Sequence, residues 1–498
     1  MVKILDCTLR DGGYYTHWDF EEKVVEKYLK TMSMLPIEYV ELGYRSTPRL
    51  HYEGEFCYLP VSTLKKCKSL VGDKRLAVMV NLNELKNADV VKLLTPCIGL
   101  VDLIRLAVRP EDVVFASDIS TVVRSMGFIV AANIMYMSEW NSIPSFFDNL
   151  KLLRGKVDAV WMVDSFGAVF PDEIPNIVSK IKKELSCPLG FHGHHNIELS
   201  FANSLQALNS GCEYIDSTIT GIGRGAGNLK TELFLTYLSK RNYKVDFYRL
   251  SNLVSEFQKM QNEYGWGVNL PYMISGVNSL PQKDIMEMMS KRRYSVSSIV
   301  ARLQHLSSKQ ENDFSPWDFP LNEKVVLIGG GESIRKHKSA VLDYIKKKNV
   351  SIVFTSSKHI DLLDELQKKD CDICLIGQEG RKFEDHDITL TRHMRFVVNQ
   401  FLDIDTYVPD SLRKQTFALS QTQQDLPYSD SPLTMALQLV GIREVLLVGF
   451  DGYTSYSQEV YDLMVENQTI IDAYKGKLIS LLPTVYKNVS TLSIYSYE

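Results

Sequence analysis

The chain has 498 residues, too many for one ordinary hydrophobic core, so two or three domains are expected. Apolar residues make up 45% and charged residues 23%, which is the composition of a globular protein. A net charge of -4, with no Lys/Arg run, excludes the electrostatic footprint of a nucleic-acid binder. The opening Met1-Val2-Lys3-Ile4-Leu5-Asp6 lacks the charged and apolar regions of a signal peptide, and no stretch approaches the ~20 apolar residues of a membrane span. A soluble cytoplasmic protein without membrane partners is expected.

Short β-rich runs fall at 3–8, 37–43, 75–82, 101–107, 127–135, 157–163, 188–194 and 213–218. Between them lie segments with helical spacing, such as 21–34, 110–125 and 172–186. Strand–helix alternation gives parallel sheets, and eight units over about 240 residues predict a closed (β/α)8 TIM barrel rather than a doubly wound open sheet. Residues 241–306 turn helical and read as a cap; 307–320, with Pro316 and Pro320, read as a linker. A second, Rossmann-like α/β unit is expected over 321–498, with strands at 324–328, 351–355, 373–376 and 445–449. The eight cysteines are irregularly spaced, and the close pair Cys371 and Cys374 falls in an apolar strand, so buried thiols are expected rather than a redox or zinc site.

Barrel active sites sit at the C-terminal ends of the strands. The first strand runs into Thr8-Leu9-Arg10-Asp11-Gly12-Gly13, and the seventh into Phe191-His192-Gly193-His194-His195-Asn196. Residues two apart in a strand face one side, so His192 and His194 project together toward the mouth. Two imidazoles and the Asp11 carboxylate make a divalent-metal site with open positions for substrate. The eighth strand leads into Gly221-Ile222-Gly223-Arg224-Gly225-Ala226-Gly227-Asn228, whose Asn228 amide is a further ligand or orients a metal-bound water.

Together with Val40-Glu41-Leu42-Gly43 and Val163-Asp164-Ser165-Phe166-Gly167, these segments resemble the family of hydroxymethylglutaryl-CoA lyase, isopropylmalate synthase and, most closely, 4-hydroxy-2-oxovalerate aldolase. The resemblance spans about 240 residues, with its motifs in order. It implies a metal, Mn²⁺ ahead of Co²⁺, Mg²⁺ or Zn²⁺, held by Asp11, His192 and His194 with Asn228 nearby, and an enolate stabilised by Arg10. The resemblance implies a metal-dependent aldolase or lyase acting on a pyruvate-derived 2-oxo acid and an aldehyde. An acyl-CoA condensing synthase is the alternative enzyme, and a scaffold with a relict barrel the alternative outside enzymes. Two positions depart from the pattern. The oxovalerate aldolases carry a His, used as base or acid, where this chain has Tyr14; His17 or Tyr14 itself then takes the proton-transfer role. The synthases carry a Glu where this chain has Arg224, which points to a negatively charged substrate.

In the second unit, Leu327-Ile328-Gly329-Gly330-Gly331-Glu332-Ser333 places glycines between strand and helix, where Gly329, Gly331 and Ser333 are expected to hold a nucleotide phosphate. NAD is not expected, because Ile334 stands at the third fingerprint glycine and no acid ends the second strand. This loop, Ser431–Leu437 and Val445–Asp451 resemble bacterial sialyltransferases that use CMP-sugars. That resemblance implies a nucleotide or nucleotide-sugar partner and a role in surface-polysaccharide synthesis. The competing role for the unit is to set a homo-oligomer.

Overall fold

In the computed structural model, β1 (Lys3–Asp6), β2 (Tyr39–Tyr44), β3 (Arg75–Asn81), β4 (Leu103–Val108), β5 (Ile129–Ile134), β6 (Ala159–Asp164), β7 (Leu189–Gly193) and β8 (Tyr214–Ser217) pair in sequence order. All pairs are parallel, and β1 pairs with β8, Lys3 opposite Tyr214, to close the barrel. The structure describes residues 2–497 except 88, 291–295, 297–298, 301–302, 304–313, 367–368, 385–391, 400–405, 420–423 and 454–457. The chain divides into two units, Met1–Glu287 and Met288–Glu498. Among the described residues, no helix is long and apolar enough to cross a membrane.

The strand period of two sorts the barrel residues. Ile4, Val40, Val78, Ile104 and Val130 belong to the core shared with the surrounding helices. The inward set begins with an apolar layer that includes Leu5, Tyr39, Leu103, Ala131 and Trp161. Two residues further along three of these strands the inward positions are Glu41, Arg105 and Asn133, all buried. The barrel is therefore plugged by apolar side chains at one end and floored by charged ones beneath the mouth.

The first motif is a helix that follows the strand at once. Strand β1 ends at Asp6, and α1 spans Thr8–Thr16 with Gly12 and Gly13 inside it. Two glycines weaken an isolated helix by ~1 kcal/mol each relative to alanine, so tertiary contacts must hold it. Buried Asp6 supplies them, accepting from Thr8 Oγ1 at 2.6 Å, Tyr28 OH at 2.5 Å and Thr231 Oγ1 at 2.6 Å. The glycines exist for close approach, since a Cβ on Gly13 would lie 2.1 Å from the Trp18 indole. That indole is itself pinned, donating from Nε1 to Arg10 O at 2.9 Å. Gly13→Ala is accordingly expected to destabilise the barrel by about 1–3 kcal/mol through overpacking, read as a lowered thermal midpoint of the full chain.

The region expected as a cap contains helices Phe247–Tyr264, Leu270–Val277 and Gln282–Ser290. Asn196, just past β7, ties two of them to the barrel. Its Nδ2 donates to Tyr272 O at 3.0 Å, and its Oδ1 accepts from Gln282 Nε2 at 2.7 Å. Of the expected linker, 307–313 lie outside the described residues. Pro316, by contrast, forms a parallel bridge with Ala418, and Trp317 Nε1 donates to Asp372 Oδ1 at 2.8 Å. These residues pack on the second sheet and do not act as a free spacer.

That sheet comprises β9 (Lys324–Ile328), β10 (Ser351–Phe354), β11 (Cys371–Cys374), β12 (Met394–Asn399), β13 (Thr416–Leu419), β14 (Glu444–Val448), β15 (Lys477–Ser480) and β16 (Ser490–Thr491). Its order is β13-β12-β11-β10-β9-β14-β15-β16, all parallel, with buried apolar clusters that draw on alternate residues of its strands, as a Rossmann-like unit requires. Cys371 and Cys374 are buried and free.

The expected phosphate cradle is occupied by the chain itself. A Cβ on Gly329 would lie 2.5 Å from Gly449 O, and one on Gly331 2.6 Å from Asp451 Cγ, so these glycines allow two loops to touch. The Ser333 amide donates to Asp451 Oδ2 at 2.7 Å and its hydroxyl donates to Oδ1. The helix that follows, Ser333–Lys336, has four residues and little dipole to offer. A carboxylate stands where the phosphate of Gly329, Gly331 and Ser333 was expected. The sequence missed it because Asp451 lies 118 residues away.

Candidate metal and active site

Helix α1 starts directly after β1, so Arg10 and Asp11 fall in its first turn at the barrel mouth. Strand β7 brings His192 to the same place, and His194 follows one residue past the strand end, bridged to Asn228. His192 Nε2 lies 3.5 Å from Asp11 Oδ2, and the two imidazole centroids are 5.0 Å apart. Asn228 Nδ2 donates to Asp11 Oδ2 at 2.7 Å and to Ile222 O at 3.3 Å. Asp11, His192, His194 and Asn228 thus come together from three separate segments.

Both imidazoles are anchored through Nδ1. His192 Nδ1 meets Asp216 Oδ2 at 2.9 Å, and His194 Nδ1 meets the backbone carbonyl of Asp164 at 2.7 Å. An acceptor at Nδ1 fixes the proton there and leaves the Nε2 lone pair for a metal, as in metal-ligating histidines generally. Burial depresses His194 to a pKa of about 3, so its ring is neutral and free to ligate. Burial opposes ionisation of Asp11, but the adjacent Arg10 guanidinium, with the Asn228 hydrogen bond, outweighs it and holds the carboxyl below its ordinary value.

A second trio, Cys7, His192 and Asp216, also lies within ligand distance of one another. Its donors are already committed. Asp216 accepts from Trp161 Nε1 at 2.7 Å, Arg105 Nη2 at 2.6 Å and His192 Nδ1 at 2.9 Å. Burial raises the Cys7 thiol well above its ordinary pKa, which removes the thiolate a metal needs. The Asp11 side of His192 therefore suits a cation better. One further atom agrees: Asn228 Oδ1 is buried with no hydrogen-bond partner, a lone pair facing nothing. With Nδ2 held by two acceptors, that oxygen is left to bind a cation.

Beneath these four side chains runs a buried charge network that the sequence did not reveal. Arg10 Nε donates to Glu41 Oε2 at 2.9 Å, and Arg10 also pairs with Asp11. Arg105 Nη1 donates to the same Glu41 Oε2 at 3.0 Å, its Nε to Asn133 Oδ1 at 3.0 Å, and its Nη2 to Asp216. The guanidinium lies 4.7 Å from the Trp161 ring centroid. Arg10, Glu41, Arg105, Asp216 and His192 form one chain of contacts from five elements. A signal existed in the sequence: each of Glu41, Arg105 and Asp216 is a lone charge inside an apolar strand.

At the same place opens a cavity of about 480 Å³ lined by Arg10, Asp11, Tyr14, His192, His194 and Arg224, among others. Tyr14 OH lies 2.9 Å from Tyr44 OH, and the Arg224 guanidinium stacks 4.2 Å from the Tyr14 ring centroid. Pro281, Gln282 and Lys283 bring the helical region into the same wall. His17 is elsewhere. It caps α1 in a left-handed conformation, its side chain is 74% exposed, and it pairs with Glu53 at 3.5 Å. Of the two proton-transfer residues expected, only Tyr14 lines the cavity.

A family model described as HMGL-like matches residues 1–256. A 4-hydroxy-2-oxovalerate aldolase of Bacillus cereus is 30% identical over 269 residues, which is 51% of this chain and 75% of that protein. An oxaloacetate decarboxylase of Mycobacterium tuberculosis is 24% identical over 346 residues, 66% of this chain and 96% of that protein. The crystal structure of the N-terminal domain of a putative aldolase from Bacteroides vulgatus matches at 46% identity and a TM-score of 0.57, covering 60% of this chain and 99% of that one. The C-terminal resemblance to sialyltransferases is not borne out by these comparisons. The surface-polysaccharide role that rested on it loses its support. The family match, by contrast, takes in just over half of the chain, with Arg10, Asp11, His192, His194 and Asn228 all inside it: the chain belongs to the HMGL-like family.

Proposed function

We propose that the barrel is a divalent-metal-dependent aldolase that makes or breaks the C3–C4 bond of a 4-hydroxy-2-oxo acid, releasing or consuming pyruvate. The observation that carries this reading is the pair of imidazoles anchored through Nδ1, with Asp11 and Arg10 beside their free edges. Asp11, His192 and His194 would hold the cation, with Asn228 Oδ1 at hand. Nitrogen and oxygen donors together favour Mn²⁺ over Ca²⁺, with Co²⁺, Mg²⁺ and Zn²⁺ as alternatives. Such an ion supplies a Lewis acid that polarises the 2-keto group.

The chain's own groups do the rest. In the cleavage direction the 4-hydroxyl loses its proton, the C3–C4 bond breaks, the aldehyde leaves, and its electron pair becomes the pyruvate enolate, which is then protonated at C3. Arg10 is held rigidly by Glu41 and Asp11, so it donates to the developing oxyanion without reorganising. In the condensation direction the Tyr14 hydroxyl, hydrogen-bonded to Tyr44 within the cavity, donates its proton to the forming 4-alkoxide, and the proton lost from C3 of pyruvate makes good that loss; cleavage runs the same transfers in reverse. Pyruvate release coupled to lactate dehydrogenase, with Mn²⁺ and a panel of 4-hydroxy-2-oxo acids, tests the reading; metal-loaded protein that releases no pyruvate from any of them overturns it.

Decarboxylation of a 2-oxo diacid passes through the same enolate, and the mycobacterial relative's near-full-length match favours it as the second reading. Oxaloacetate consumption in the same assay separates the two. In either reaction, Arg10→Ala is expected to keep its metal and lose about 10²-fold or more in rate, because one oxyanion donor is gone. Metal analysis beside steady-state rates checks both halves.

A further inference from the structure

The proposed reaction leaves the Arg224 guanidinium of the cavity without a task. Arg10 is engaged by Glu41 and Asp11, and Arg109 pairs with Glu111 at 3.7 Å. Arg224 is half-buried and, among the described residues, its guanidinium makes no ion pair and no hydrogen bond. Its one close partner is the face of the Tyr14 ring. Withdrawing a charge from water without a counter-ion is costly, and a fold tolerates it where a ligand supplies the opposite charge.

The loop that carries Arg224 is locked on both sides. A Cβ on Gly223 would lie 2.5 Å from Asn228 Nδ2, one on Gly225 2.0 Å from Gln282 Oε1, and one on Gly227 2.1 Å from Gly221 O. The backbone around Arg224 is therefore packed to the limit, and Tyr14 stacking presets the side chain over the cavity. A planar guanidinium held this way suits a carboxylate or a phosphate, which it can engage through two parallel hydrogen bonds.

We propose that Arg224 selects substrates whose aldehyde-derived part carries an anionic group, carboxylate or phosphate. This rests on the aldolase reading: the pyruvyl carboxylate would be met by the cation that Asp11, His192 and His194 would hold, and Arg224 serves a second anion. The full-length protein with Mn²⁺ and pyruvate is assayed on matched acceptors, glyceraldehyde against glyceraldehyde 3-phosphate and butanal against 4-oxobutanoate. The anionic member of one pair is expected to lead in kcat/KM by about 10²-fold, the worth of a charge-assisted hydrogen bond. Which pair shows the gap tells phosphate from carboxylate. Arg224→Gln erases the preference, chiefly through the KM of the anionic aldehyde, and Arg224→Lys restores part of it.

Calorimetry of the metal-free chain gives a readout independent of turnover. Glycerol 3-phosphate or succinate binds the native chain at least about tenfold more tightly than the Arg224→Gln variant. The proposal is overturned if the native enzyme prefers neither anionic acceptor. It is equally overturned if Arg224→Gln lowers charged and neutral acceptors alike, or raises the KM of pyruvate while the preference persists. Failure of the underlying aldolase reading is seen separately. The native protein with Mn²⁺ and pyruvate alone would then exchange no deuterium into the pyruvate methyl group, and the proposal would fall with it.

Discussion

Replacing His192 or His194 by alanine is expected to empty the barrel of its divalent cation and to lower carbon–carbon cleavage by about 10³-fold or more. Lewis-acid stabilisation is worth several kcal/mol, and each ~1.4 kcal/mol is a factor of ten. The fold should survive. Without the His192 ring, Asp216 keeps Arg105 and Trp161 as partners, so no buried carboxylate is left bare. His194 is tied to a backbone carbonyl at the rim of the cavity, and water can replace it there. Metal analysis of dialysed protein, a rate assay and a circular-dichroism melt together give the answer. A His192→Ala/His194→Ala double variant that retains a full equivalent of metal would falsify the site.

Arg105→Leu is expected to have the largest effect on stability, about 3–5 kcal/mol. The guanidinium is fully buried and is shared by two carboxylates, Glu41 and Asp216, that are just as buried. Removing it concentrates negative charge in the barrel floor, and the apolar replacement cannot meet the hydrogen-bonding needs of Asp216, Glu41 or Asn133. The change also reaches the mouth. Asp216 aims His192 and Glu41 aims Arg10, so metal affinity is expected to fall by roughly 10–100-fold. Arg105→Lys keeps the charge but loses the fork, and should fall between. A melt of the Leu variant that coincides with the native one would show that the network does not stabilise the barrel.

The barrel was legible because its strands are short apolar runs separated by helical spacing, and each of the eight runs contains or overlaps a strand of the closed sheet. The convergence of Asp11 and His192 was legible for a related reason: the rule that barrel chemistry gathers at strand ends points to both positions without coordinates. What stayed hidden depends on contacts distant in sequence. Helix α1 was not among the expected helices, because Gly12 and Gly13 disfavour one until Asp6, Tyr28 and Thr231 are seen to hold its start. The glycines before Ser333 read as a phosphate loop until Asp451 is seen bonded to it. His17 was expected near Tyr14 by proximity alone, but it is the left-handed C-cap of α1, past the last helical turn, and its side chain turns to Glu53 instead.

The two imidazoles are aimed by different kinds of partner. His192 is steered by the carboxylate of Asp216, which a single codon change can remove or shorten; His194 is steered by a main-chain oxygen, which no substitution at position 164 deletes. Of the two imidazoles, inherited variation can therefore re-aim His192 through its partner's side chain, but not His194. Across descendants of this sequence, adjustments of cation preference should collect around residue 216 and its guanidinium neighbour, while the orientation of the second ring stays as invariant as the strand that carries its acceptor.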